Sequence, residues 1–114
     1  MLAIAAALLG YAPVLGIDTD PAAVEATAAN AAVNGVDVSA RLADGTGAVL
    51  PAADVTVANI SVEGVLALRP ASPLLLTSGY LVSERPDPHG YTHVLRRESG
   101  GWAADVYGSE ETAR

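Results

Sequence analysis

A short apolar segment that runs straight into a well-capped helix is the feature that most restricts how this chain can fold. Val14–Asp18 has the length and composition of a buried strand. Asp20 is a favourable N-cap and Pro21 suits the first helical position, while Gly35 can adopt the left-handed conformation that ends a helix. A buried strand followed at once by a helix predicts the βα unit of a parallel sheet.

Helix and strand patterns alternate along the rest of the chain. Helices are predicted over Leu2–Leu9 and Val62–Leu68, and strands over Val36–Leu42, Asp54–Ile60, Leu74–Val82, Tyr91–Glu98 and Trp102–Tyr107. The last two strands flank Ser99-Gly100-Gly101, which predicts an antiparallel hairpin. Asp44–Gly47 is predicted to be a turn, and the two prolines within 85–90 argue against a helix there. We therefore expect an α/β fold with a mostly parallel sheet covered on both faces, in one domain over 1–108 with a polar tail at 109–114.

Charge and cysteine content exclude several kinds of site. The formal net charge of −7 argues against direct nucleic-acid binding and fits a small-molecule site or a basic protein substrate. Because the sequence has no cysteine and only two histidines, we predict no metal site. Leu2–Leu9 is too short to cross a bilayer, and it lacks the basic start of a signal peptide, since the first basic residue is Arg41. We expect a cytoplasmic protein without a membrane segment.

Three polar residues lie near the carboxyl ends of successive predicted strands: Asp18, Asp44 and Asn59. Open parallel sheets bind their ligands at this edge. The Asp18 carboxylate could accept both ribose hydroxyls of a nucleotide, or could serve only its turn. Asp44 could contact an adenine amino group, or belong simply to the Asp-Gly turn. The Asn59 amide could accept from a substrate amine, or hydrogen-bond to neighbouring loop backbone.

An ordered set of motifs resembles the ribosomal protein L11 methyltransferase family. The motifs are Leu2-Ala3-Ile4-Ala5-Ala6-Ala7, Gly16-Ile17-Asp18-Thr19-Asp20-Pro21-Ala22-Ala23-Val24, Asn30-Ala31-Ala32-Val33-Asn34-Gly35, Ala58-Asn59-Ile60 and Ser78-Gly79. The likeness extends over residues 2 to about 82, and more faintly through Trp102. Single motifs are unspecific, but the ordered set that includes Ala58-Asn59-Ile60 is fairly specific.

The resemblance implies a Rossmann-like class I methyltransferase that uses S-adenosylmethionine. Members of this family methylate lysine side chains and the N-terminal amine of a ribosomal protein, so a protein substrate is expected. By position, the resemblance implies that Asp18 binds the cofactor ribose and that Asn59 lies beside the methyl group and the target amine. With Asp44 added for the adenine, we predict Asp18, Asp44 and Asn59 as cofactor-binding residues and Asn59 as the catalytic residue.

This chain departs from the family pattern at its beginning. The family's first strand and glycine-rich loop would lie just before Met1 and are absent from this sequence, as is the family's N-terminal domain that recognises the substrate. We therefore expect a fragment that is inactive alone. Two strands should lack a neighbour, and their open edges predict low stability or a dimer formed through the gap.

Two other functions stay open from the sequence. A nicotinamide-dependent dehydrogenase fragment would use Asp18 to bind an NAD ribose. A degenerate relative of the methyltransferases would have no catalytic activity. The antiparallel hairpin and the Asn59-Ile60 pair favour the methyltransferase over both.

Overall fold

The computed structural model describes residues 1–47 and 49–110. They form two compact units, the first from Met1 to Gly45 and the second beginning at Thr46. Each unit has its own helices and its own paired strands.

The first unit is built around a pair of parallel strands. It contains α1 (Leu2–Leu8), β1 (Leu15–Asp18), α2 (Pro21–Val33) and β2 (Ser39–Leu42). β1 and β2 pair in parallel with Asp18 opposite Leu42, so both strands end at the same edge. A Cβ added to Gly16 would lie 3.3 Å from the Ala3 Cβ, so glycine at this position allows α1 to approach β1 closely.

α2 begins and ends as the sequence predicts. Asp20 Oδ1 accepts a hydrogen bond of 3.0 Å from the Ala22 N–H, and Pro21 is the first helical residue. Gly35 follows the C-cap with φ +67°, a backbone conformation that glycine adopts without strain. The fixed start of α2 in turn fixes the short connection from β1, in which Asp18 lies.

The second unit contains a four-stranded mixed sheet. Its elements are β3 (Val49–Ala52), β4 (Val55–Asn59), α3 (Val62–Ala67), β5 (Arg69–Ala71), β6 (Leu74–Leu81), β7 (Tyr91–Ser99) and β8 (Trp102–Ser109). The strand order is β4-β6-β8-β7, with β4 and β6 parallel and β8 antiparallel to both of its neighbours. β3 and β5 form a separate parallel pair.

One face of the four-stranded sheet forms the core of the second unit. Val65 of α3 packs there with Tyr80 and Ala103. Further buried residues of this face are Leu75, Thr77, Asp105 and Tyr107. Side chains alternate along a strand, so the opposite face presents other residues, among which Val57 and Leu95 are exposed.

The predicted α/β fold and C-terminal hairpin are confirmed, but the described strands do not form one continuous sheet. They form three sheets, in which β1 and β4 are edge strands that each pair with one described strand. This arrangement agrees with the open strand edges expected from the sequence.

Two short strands were missed, and β2 is shorter than predicted. β3 contains Pro51 and β5 contains Pro70, and a proline within a run argues against a strand. The two strands tolerate these residues because a two-stranded sheet leaves one edge of each strand without ladder bonds. β2 begins at Ser39 rather than Val36, and Thr46, predicted to lie in a turn, forms a bridge with Leu68.

Three further predictions concern membrane segments, the 85–90 segment and the tail. Within 1–47 and 49–110 no helix is long and apolar enough to cross a membrane. Residues 85–90 contain no helix, as predicted. β8 includes Ser109, the first residue of the predicted tail, whereas 111–114 lie outside the described residues.

Candidate functional site

Asp18 and Asp44 follow the carboxyl ends of two adjacent parallel strands. Asp18 is the last residue of β1, and Asp44 comes two residues after the end of β2. The Ala43 N–H donates to the Asp18 carbonyl oxygen at 2.9 Å, which holds the two strand ends together. The structure therefore brings these two predicted site residues to one edge of the first unit, and both are exposed there.

The Asp18 carboxylate is partly used by its own turn. Its Oδ1 accepts a hydrogen bond of 2.9 Å from the Asp20 N–H. A carboxylate has about four acceptor positions on its two oxygens, so this bond leaves room for two hydroxyl donors. The turn and the ligand role of Asp18, which the sequence left as alternatives, are thus compatible.

Asn59 ends β4 in the second unit and is packed against a glycine. It pairs with Ser78 of β6, and the Ile60 N–H donates to the Ser78 carbonyl at 2.9 Å. A Cβ on Gly79 would lie 2.6 Å from Asn59 Oδ1, and Gly79 has φ +101°. Any larger residue at 79 would therefore displace the Asn59 amide. In the Ser78-Gly79 motif, Ser78 therefore pairs with Asn59 and Gly79 leaves room for the Asn59 side chain.

A groove runs along the carboxyl end of β4 and across the neighbouring strands. It is lined by Asn59, Ile60, Ser61, Ser78, Gly79, Arg97, Glu98, Ser99, Trp102, Ala103 and Ala104, and this open groove has a volume of about 620 Å³. Asn59 and three serines supply the uncharged polar groups, and Trp102 supplies an aromatic wall. The groove is thus mainly apolar, with polar groups near Asn59 and charged groups near the hairpin.

The hairpin contains a buried charged cluster that the sequence analysis missed. The Asp105 side chain is fully buried, and it accepts hydrogen bonds from Arg96 Nε at 3.0 Å and from the Tyr80 hydroxyl at 2.7 Å. His93 Nε2 lies 2.7 Å from Asp105 Oδ1. The ring of His93 meets the Tyr107 ring edge-on at 5.3 Å.

Electrostatics in this cluster favour an ionised Asp105 beside neutral tyrosines. Burial alone would raise the pKa of Asp105, but hydrogen bonds from Arg96, Tyr80 and His93 outweigh burial and hold the pKa below its usual value. Burial raises the pKa of Tyr80 far above its ordinary value. Burial and the Asp105 charge also raise the pKa of Tyr107, to about 12. Both hydroxyls therefore stay protonated and act as donors.

The cluster also anchors the segment between β6 and β7. Arg96 donates to the Val82 carbonyl at 2.9 Å and to the Glu84 carbonyl. The Tyr107 hydroxyl donates to the Pro86 carbonyl at 2.6 Å. Residues 82–86 are therefore tied to the hairpin without forming a helix.

Trp102, Tyr80 and Arg96 differ in how far they are exposed. Trp102 is 56 % exposed and lines the groove. Tyr80 is buried on the core face and does not line the groove. The side chain of Arg96 is only 10 % exposed.

The predicted site residues therefore fall into two groups. Asp18 and Asp44 share an edge of the first unit, and Asn59 lies in the groove of the second unit. That all three line one site stays a prediction. Within the described residues there is no group of three or more metal-ligating side chains.

Comparison with known proteins decides the family. A model described as "Ribosomal protein L11 methyltransferase (PrmA)" matches residues 1–83. The chain belongs to this family. A ribosomal protein L11 methyltransferase of Synechococcus sp. is 36% identical over 122 residues, which cover 90% of this chain and 40% of that protein. The corresponding protein of Symbiobacterium thermophilum is 38% identical, over 91% of this chain and 38% of its own length.

A solved structure supports the same assignment and the Rossmann-like methyltransferase fold. The crystal structure of the ribosomal protein L11 methylase from Lactobacillus delbrueckii subsp. bulgaricus matches with a TM-score of 0.80 and 25% identity. The match covers 95% of this chain and 64% of that chain. By comparison, this chain spans about two fifths of the length of the Synechococcus and Symbiobacterium relatives.

Proposed function

We propose that this chain forms part of the catalytic domain of an S-adenosylmethionine-dependent protein methyltransferase. The observation that carries the proposal is the pair of acids at the ends of β1 and β2, in a chain that belongs to this family. The relatives are named for ribosomal protein L11, and a basic ribosomal protein is a suitable substrate for a chain with a net charge of −7. A cytoplasmic location is part of the same proposal.

The residues of the first unit fit the adenosine part of the cofactor. Asp18 keeps acceptor positions for the two ribose hydroxyls, and an exposed carboxylate at Asp44 can accept from an adenine amino group. The edge formed by the carboxyl ends of parallel strands is where such folds bind nucleotides. These residues bind and orient the cofactor and take no part in bond making.

Asn59 is the residue that we assign to the reacting centre. The cofactor would supply an electrophilic methyl group on its sulfonium sulfur. The Asn59 amide oxygen can accept a hydrogen bond from a substrate amine and so hold the nitrogen lone pair in one direction. Gly79 leaves room for that oxygen, because a Cβ at position 79 would lie 2.6 Å from it, and Trp102 lines the same groove. Removing the amine proton requires no base from this chain if the amine arrives deprotonated.

Binding of S-adenosylhomocysteine tests the proposal directly. We expect calorimetric titration of this chain to show binding that Asp18→Ala weakens by about 1–3 kcal/mol, because charged hydrogen bonds to the ribose are lost. That loss corresponds to a rise in Kd of roughly 5- to 150-fold. Asp37→Ala is the matched control, because it removes another exposed aspartate from the first unit.

The same titration separates this proposal from the dehydrogenase alternative. The methyltransferase proposal requires tighter binding of S-adenosylhomocysteine than of NAD. Unchanged affinity in Asp18→Ala would remove Asp18 from the site. Preference for NAD, or no binding of either ligand, would contradict the proposed function of this chain.

A further inference from the structure

The groove floor is a single row of residues that crosses all four strands. Asn59 pairs with Ser78, Ser78 with Ala104, and Ala104 with Arg97. Residues paired across strands project from the same face, so Asn59 and Arg97 lie at opposite ends of one row. The next row on this face is apolar and consists of Val57, Leu76, Val106 and Leu95. The row therefore has an amide at one end and a cation at the other.

Arg97 is the charged groove residue that is available to a ligand. Within the described part of the chain it makes no ion pair, and its one hydrogen bond goes to the Arg96 carbonyl at a long 3.5 Å. Glu98, the other charged lining residue, already has a cationic partner in Arg96 at 3.5 Å. Strand alternation also directs Glu98 to the face opposite Arg97. The groove therefore presents a positive charge on the face that carries Asn59.

We propose that Arg97 determines specificity by binding a carboxylate of a peptide substrate whose amine lies at Asn59. The guanidinium is well suited to a carboxylate, with which it can form two parallel hydrogen bonds. Trp102 flanks the row and can pack against the peptide between the two contacts. The inference rests on the proposed function, because it takes Asn59 as the site of the target amine.

The strand spacing sets the distance between the two contacts. Three steps of about 4.8 Å separate the Asn59 and Arg97 backbones, a distance of about 14 Å. An extended peptide advances about 3.3–3.6 Å per residue, so about four residues bridge the row. The selected substrate is therefore a peptide with an acidic residue about four positions from the lysine that is methylated.

Tryptophan fluorescence can measure peptide binding, because Trp102 is the chain's single tryptophan and lines the groove. The probes are acetylated and amidated glycine peptides with one lysine and one aspartate, placed one, four or eight residues apart in either order. Each is compared with the same peptide carrying asparagine. We expect the four-residue spacing to bind about three- to tenfold more tightly than its asparagine counterpart, the effect of a partly exposed charged hydrogen bond.

Variants of Arg97 decide whether this residue is responsible. Arg97→Gln should abolish the preference for aspartate, and Arg97→Lys should restore part of it. Arg85→Gln, which removes an exposed arginine outside the groove, should leave the preference intact. Equal binding of aspartate and asparagine peptides, a preference that persists in Arg97→Gln, or no peptide binding at all would overturn the inference.

Failure of this inference can be told apart from failure of the proposed function. The fluorescence titration requires no cofactor, and the calorimetric titration of S-adenosylhomocysteine requires no peptide. Cofactor binding without selection of the acidic peptide would leave the methyltransferase proposal standing and would remove only Arg97 from substrate recognition.

Discussion

A single buried carboxylate organises the C-terminal hairpin. Asp105 is balanced by Arg96, whose own pKa is raised by its hydrogen bonds to that carboxylate. Breaking one partner of such a pair leaves a charge that is both buried and uncompensated. Stability of the second unit should therefore depend on Asp105 far more than on any exposed acid of the chain.

Asp105→Asn should lower the free energy of unfolding at pH 7 by about 3 kcal/mol, since Arg96 then loses its buried counter-charge and keeps only the exposed Glu98. The pKa of Asp105 is lower in the folded chain than its unfolded value of about 3.9. Its stabilising effect is therefore complete above that value and is lost as the pH falls through the folded pKa. Urea unfolding between pH 7 and pH 2 should show the deficit of the variant shrinking on acidification.

Asp37→Asn is the matched control, because Asp37 is exposed and belongs to the first unit. It should change the unfolding free energy by less than about 0.5 kcal/mol. A deficit of Asp105→Asn that stays constant down to pH 2 would show that the charge of Asp105 does not cause its effect.

At the scale of elements, the crossover between β6 and β7 is held by side chains instead of a helix. Arg96 and Tyr107 together bind three backbone carbonyls in residues 82–86. Backbone carbonyls without secondary structure need such partners when they lie against the protein. The order of this segment should therefore depend on the shape of the guanidinium as well as on its charge.

Arg96→Lys keeps the charge but cannot bridge Asp105 and two carbonyls at once. We expect a glutamate-specific protease to cleave after Glu84 several-fold faster in this variant, because local opening exposes the segment. Cleavage after Glu25, in α2 of the first unit, serves as the internal reference. An unchanged ratio of the two cleavage rates would show that Arg96 does not order the segment.

Element types could be predicted from the sequence where local signals and the fold agree. Asp20, Pro21 and Gly35 mark the ends of α2, and the glycine pair at 100–101 marks the hairpin. β3 and β5 could not be recognised, because their prolines oppose strand formation locally and only pairing with each other offsets this.

Part of the candidate site could be predicted from the sequence for the same reason. Strand-end positions identified Asp18, Asp44 and Asn59, because the carboxyl edge of parallel strands is a general binding position.

The partners of Asp105 were missed although strand alternation carries the signal, since Ala103, Asp105 and Tyr107 all face inward. An acid between two inward-facing residues indicates a buried partner, which here is Arg96. The β-bulge between Ser78 and Tyr80, which no local pattern specifies, places Tyr80 opposite Ala103 on the core face.

At the scale of the whole molecule, the open edges of β1 and β4 make self-association the expected behaviour. Each strand offers unpaired N–H and C=O groups on one side within the described residues. Pairing of these edges between two copies would satisfy those groups, whereas the net charge of −7 on each copy opposes approach. Salt screens that repulsion over about 10 Å at 0.1 M, while short-range strand pairing persists.

We therefore predict a dimer whose population rises with both protein concentration and salt, measured by light scattering. Hydrogen exchange should locate the contact, because amides of Leu15–Asp18 and Val55–Asn59 should become protected as the dimer forms. β6 has neighbours on both sides and should be protected at every concentration, which makes it the reference. Strong protection of Leu15–Asp18 in a chain that scatters as a monomer would show that this edge is satisfied without a second copy, and the prediction would then be wrong.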